Sequence, residues 1–180
     1  MSASANPTGS MNLVGNYGDD VVVNACGSVE VRVGDILIAC GDAGTDYPTD
    51  DYYGEPASNV TRGTTVNGVK ALVRNAFLGI SKSYRSSLET SEGKSSDVLT
   101  VAIRGRAKLK ISDAIAYPVG TLVGPKEDAI DTDSKYGILR DEVTVAASEA
   151  YAIGRLAKSI TAADTTCVVE FESAIMQSIN

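Results

Sequence analysis

Between Asp97 and Ile111 the chain reads DVLTVAIRGRAKLKI, and from Ile103 onward small or apolar residues alternate with cations without a break. Side chains in an extended strand repeat every two residues, so Ile103, Gly105, Ala107, Leu109 and Ile111 share one face. Arg104, Arg106, Lys108 and Lys110 share the other. A helix would scatter both sets around its axis, so the segment is predicted to be a single strand with a buried face and a cationic face. Like charges about 6.6 Å apart on such a face repel one another unless an acidic surface lies opposite. The stripe is therefore read either as an ordinary solvated or edge-protecting face, or as a partner-binding surface.

The same grammar recurs along the chain. Val29, Val31 and Val33 alternate with Glu30 and Arg32, Gly34-Asp35 makes a turn, and Ile36 to Ala39 forms a second, more apolar strand. Residues 66 to 80 fit helical or extended spacing, with Phe77 to Ile80 read as a strand. Residues 81 to 96 hold seven serines and read as a long hairpin connection. Ser112 to Ala116 is expected to cap and form one helical turn that Pro118 stops. Val119 to Pro125 is a further turn-to-strand unit, followed by short apolar runs at 137–139, 143–147, 150–156 and 167–171. This pattern predicts an all-β fold: a small antiparallel β-barrel or sandwich with long loops and at most one or two short helices.

Two passages can be laid over each other. Val33-Gly34-Asp35-Ile36-Leu37, Ala76-Phe77-Leu78-Gly79-Ile80 and Val98-Leu99-Thr100-Val101 have counterparts in Val119-Gly120-Thr121-Leu122-Val123, Tyr151-Ala152-Ile153-Gly154-Arg155 and Cys167-Val168-Val169. The reading is an extended amino-terminal arm, 1–20, and a single β domain, 21–180, with a possible internal duplication of 33–103 and 119–171. Asn12, Leu13, Val14 and Tyr17 of the Gly- and Ser-rich arm are candidate partner contacts. So are Tyr47, Tyr52 and Tyr53 in the segment from Gly41 to Pro56, which is expected to be a long exposed loop; tyrosine gives broad, stiff contact area.

Composition narrows the function. The chain lacks histidine, which removes the side chain that titrates near neutrality and with it most triads and hydrolytic zinc sites. No cofactor is expected. With 16 basic and 23 acidic groups the net charge is −7, a poor match to a nucleic-acid groove. No apolar stretch approaches the ~18 residues of a membrane span, so no membrane partner is expected either. Cys26, Cys40 and Cys167 are odd in number and form no CxxC pair, consistent with buried thiols in a reducing cytoplasm. Asp131, Asp133 and Glu142 carry calcium-loop spacing, but Lys135 and Tyr136 occupy places where a ligand and the glycine turn belong.

The segments Phe77 to Ser81, Val98 to Leu109, Ser112 to Ala116, Val119 to Val123 and Ala152 to Val169 follow one another as an F-x-G step, a polar hairpin, a V-x-V strand, an Ala-rich turn, a "VG" turn and a final I-G step with a Val-rich strand. In this order the chain resembles phage and prophage head-decoration, or capsid-cement, proteins over roughly residues 33 to 171. The resemblance implies a non-enzymatic virion protein, made in the host cytoplasm, that binds the major capsid protein shell from outside, often as a homotrimer. Another phage β-type assembly component, such as a tail-tube, connector or fibre-associated protein, stands as the alternative, with a hydrolase behind it.

Overall fold

The computed structural model describes residues 20–25, 29–40, 53–60, 64–86, 98–113, 115–128 and 136–174. The chain is all-β in character, with strands β1 (Asp20–Ala25), β2 (Ile36–Cys40), β3 (Tyr53–Pro56), β4 (Phe77–Ser81) and β5 (Val98–Ala102) in its first half. The second half supplies β6 (Arg104–Ile111), β7 (Leu122–Glu127), β8 (Ile138–Val145), β9 (Gly154–Leu156) and β10 (Thr166–Glu172). Helices α1 (Ala57–Val60) and α2 (Val66–Ala76) lie between β3 and β4, and a 3-10 turn spans Glu149–Tyr151.

The strands close into two barrels, in the orders β1-β3-β2-β4-β5 and β6-β8-β7-β9-β10. Their registers correspond pair by pair. Val23 faces Leu99 as Leu109 faces Cys167, Leu37 faces Gly79 as Val123 faces Gly154, and Ala25 faces Gly54 as Ile111 faces Val143. In each barrel one pair, β1 with β3 and β6 with β8, runs parallel, where a wholly antiparallel arrangement was expected. The reason is topological: a chain segment leaving β1 or β6 forms the "VG" hairpin strand before returning alongside its starting strand.

Glycine secures both closures. Gly34 and Gly120 turn at φ 99° and 85°, where a side chain is strained, and both donate from their N–H over 2.8 Å, to the Ser81 and Leu156 carbonyls. A Cβ on Gly79 would stand 2.2 Å from the Ala102 carbonyl oxygen, and one on Gly154 2.4 Å from that of Glu170. Only glycine lets these strands approach so closely.

The expected single strand Asp97–Ile111 is two strands. β5 completes the first barrel, Ile103 bridges, and β6 starts the second. Alternation runs through the join unbroken, so the sequence pattern carries no sign of it. Residues 66 to 80 resolve into α2 and β4 without a spacer: Thr65 caps α2 by accepting from the Gly68 N–H, and Val69, Lys70 and Val73 form its buried stripe. Residues 112 to 116 show no helical turn in their described part. Asp113, expected to help cap it, instead accepts from the Thr144 hydroxyl and the Val145 N–H, so the side chain serves β8. The expected loop 41–56 ends in strand β3, where Gly54, Glu55 and Pro56 are buried.

The first barrel encloses Val23, Ala25, Val31, Leu37, Leu78, Leu99 and Val101. Period two turns Ile36, Ile38, Phe77 and Ile80 outward, where with Val69 and Val73 of α2 they join the core of the second barrel. Phe77 and Phe171 meet edge to face at this seam, ring centres 6.1 Å apart. Backbone bonds from Ser173 N to the Ile103 carbonyl and from Ala174 N to the Phe77 carbonyl fasten the end of β10 across it.

Candidate functional site

β6 is where sequence and structure agree on a surface. Gly105, Ala107, Leu109 and Ile111 point into the second barrel and are buried, while Arg104, Lys108 and Lys110 are exposed and Arg106 is half-buried. The stripe is not bare. β10 pairs with β6 along its length, setting Glu172 opposite Arg104 and Glu170 opposite Arg106. Arg106 reaches Glu170 at 3.2 Å, and Lys110 reaches Asp141 of β8 at 2.9 Å. The acidic counter-surface that a cationic strand requires is thus partly supplied by the chain's own neighbouring strands, and Lys108 lies opposite uncharged Val168.

At its Arg104 end the stripe opens onto a groove of about 910 Å³ between α2 and the wall of the second barrel. Arg74, Arg104, Arg106 and Arg155 line it, together with Glu149 and Glu170. Arg155 pairs with Glu149 at 2.6 Å and also donates to the Gly120 carbonyl. Interleaved charges of both signs in an open groove suit a polar protein surface. They do not form the one-sign channel that tracks phosphates.

The deepest electrostatic feature lies between the barrels. Asp35, 2% exposed in the "VG" turn of the first barrel, accepts from Nε and Nη2 of Arg140 on β8 and from the Arg32 N–H. Arg140 also bonds the backbone carbonyl and the carboxylate of Glu30. Burial pushes the Asp35 carboxyl above the usual carboxylate range, although Arg140 and the Arg32 N–H oppose it. Glu30, close to solvent, is held below that range by its hydrogen bond to Arg32, with Arg140 adding to it. A second ion pair, Lys70 of α2 with Glu127 of β7 at 2.7 Å, crosses the same seam. There burial raises the Glu127 carboxyl, but Lys70 outweighs it and the net direction is down.

Nothing in this set resembles a reaction centre. Among the described residues no cluster of three acidic or sulfur side chains is placed to hold a metal ion. Cys167 is buried inside the second barrel, and burial, with Asp113 adding to it, pushes its thiol up to about 12, which removes it as a nucleophile. Glu55 is buried and raised by burial alone. No helix among the described residues is long and apolar enough to cross a membrane.

The other sequence candidates are separated from the stripe. Tyr53 opens β3, paired in register with Cys40 and Asn24. Asn12, Leu13, Val14, Tyr17, Tyr47 and Tyr52, and the calcium-like segment 131–135, lie outside the described residues. Sequence reasoning missed two features. The Asp35–Arg140 pair spans 105 residues and has no local signal. The run Ile115-Ala116-Tyr117-Pro118-Val119 is uniformly apolar, a signal that was present, yet Ile115 and Val119 are 58% and 62% exposed. The chain matches no protein-family model and no curated protein.

Proposed function

We propose that this chain is a virion structural protein that attaches to the outer surface of a phage major-capsid-protein shell and stabilises it, acting as a homotrimer without cofactor or catalysis. The observation that carries the reading is the fusion of two closed barrels along one apolar seam, reinforced by the Asp35–Arg140 and Lys70–Glu127 pairs. A cement must transmit strain without yielding, and close-packed barrels of low internal freedom meet that need. It must also hold by many modest contacts repeated over a shell, for which summed weak attachment suffices. Exposed apolar side chains outside the barrels, Val22, Val98, Ile115 and Val119, together with the β6 stripe, are surfaces such attachment can use.

Co-sedimentation with empty heads lacking this protein tests the reading directly. Saturable binding, followed by heads that withstand heating or osmotic shock better than bare ones, is the expected result. Absence of binding, or saturable binding with no gain in shell resistance, overturns it.

A further inference from the structure

The two barrels can be compared position by position, and the comparison shows one surface that is covered in the first and uncovered in the second. Strand register and turn hydrogen bonds make residues 29–35 equivalent to 115–121. Val31 exchanges backbone bonds with Arg85 as Tyr117 does with Ile160, and Gly34 and Gly120 make the matching bonds to Ser81 and Leu156. In the first barrel this turn is docked against the second barrel through Arg140 of β8. Gly34 and Asp35 are buried there, and Val29 and Val33 are half-buried. In the second barrel Gly120 is exposed, Thr121 is half-buried, and Ile115 and Val119 protrude.

The side-chain chemistry differs in the same sense. Glu30 and Asp35, which receive Arg140, are replaced in the second turn by Ala116 and Thr121. The strand equivalent to β8 is β3, since Glu142 pairs with Lys110 as Tyr53 pairs with Asn24. Two residues before Glu142 the sequence has Arg140, and two residues before Tyr53 it has Asp51. A turn that kept Glu30 and Asp35 would repel that carboxylate; the apolar turn does not. The loss of acid on one side and of base on the other is a matched change.

From this we infer that the Ile115–Val119 turn is a docking surface for a second copy of the chain, placed head to tail so that the first barrel of one copy packs on the second barrel of the next as the two barrels pack within a chain. Contacts of this heterologous kind close into a ring when the rotation allows. The inference specifies the self-contact within the proposed function, but it is tested without shells, so each can fail alone.

Sedimentation velocity of the full chain at about 50 µM, a concentration that reports micromolar association, is the experiment. The 18.7 kDa wild type is expected to form a discrete oligomer. Ile115→Asp and Val119→Asp are expected to weaken it by at least about tenfold through loss of apolar burial, with far-UV circular dichroism unchanged because both side chains are exposed. Val22→Asp, on the outer wall of β1, is expected to assemble as wild type does. A monomeric wild type, or Asp variants that assemble normally, overturns the inference. So does ready disulfide joining of two Val119→Cys copies to each other, which would mean a two-fold contact.

Discussion

Arg140 holds Asp35 through two hydrogen bonds, Nε to Oδ1 at 2.9 Å and Nη2 to Oδ2 at 2.8 Å, and thereby ties β8 of the second barrel to the first turn of the first. The carboxylate is almost wholly buried, whereas the guanidinium keeps a 23% exposed side chain. The pair is thus asymmetric. Solvent can still help the arginine, but nothing except protein can help the aspartate.

Removing the arginine is therefore expected to cost more than removing both partners. Arg140→Met leaves Asp35 buried without its main counter-charge and should lower stability by about 3 kcal/mol. The double variant Arg140→Met with Asp35→Asn should recover part of that loss. Urea unfolding of the three proteins at neutral pH checks both statements; equal losses in single and double variants would show that the pair contributes only packing.

Glu55 gives a pH dependence of definite sign. Its carboxyl is raised in the folded chain by burial alone, so ionisation favours the unfolded state. The penalty is absent below the ordinary glutamate value and grows as pH rises from there through the raised folded value. Glu55→Gln should accordingly stabilise the protein at pH 7, and the gain should vanish near pH 4. Thermal melts of both proteins at the two pH values are the measurement, with a gain that persists in acid contradicting the assignment.

Two glycines separate steric from conformational demand. Gly79→Ala drives a methyl group into the Ala102 carbonyl and should cost about 3 kcal/mol or more. A Cβ on Gly120 meets nothing within 4 Å, so only its positive φ opposes substitution, at about 1–2 kcal/mol. Chemical denaturation should rank the variants in that order.

The β6 stripe predicts salt-sensitive attachment to shells. Replacing Arg104, Arg106, Lys108 and Lys110 by Gln should weaken binding to empty heads more at low salt than at high salt, because screening acts over about 10 Å at 0.1 M. Since Arg106 and Lys110 already have acidic partners, Lys108→Gln alone should account for a disproportionate share. Binding isotherms for the variants at two ionic strengths test this, and an unchanged salt dependence would reduce the stripe to a solvated barrel wall.

The sequence by itself determined the all-β class, the cationic outer face of β6 and the turn glycines at 34 and 120, because each depends on neighbours within a few residues: period two, alternating polarity, positive φ. It also carried the three pairs of matching passages, which lie in β2, β4 and β5 of one barrel and β7, β9 and β10 of the other, with their "VG" turns and the residues before β4 and β9. Only tertiary structure decided that Asp97–Ile111 is divided between two barrels, that Asp113 serves β8, and that one copy of a repeated turn is covered while the other is open. Those outcomes rest on contacts between residues far apart in the chain, such as Asp35 with Arg140 or Phe77 with Phe171, whose effect on burial leaves no local pattern. Alternation records which face of a strand is apolar; it cannot record which barrel that face encloses.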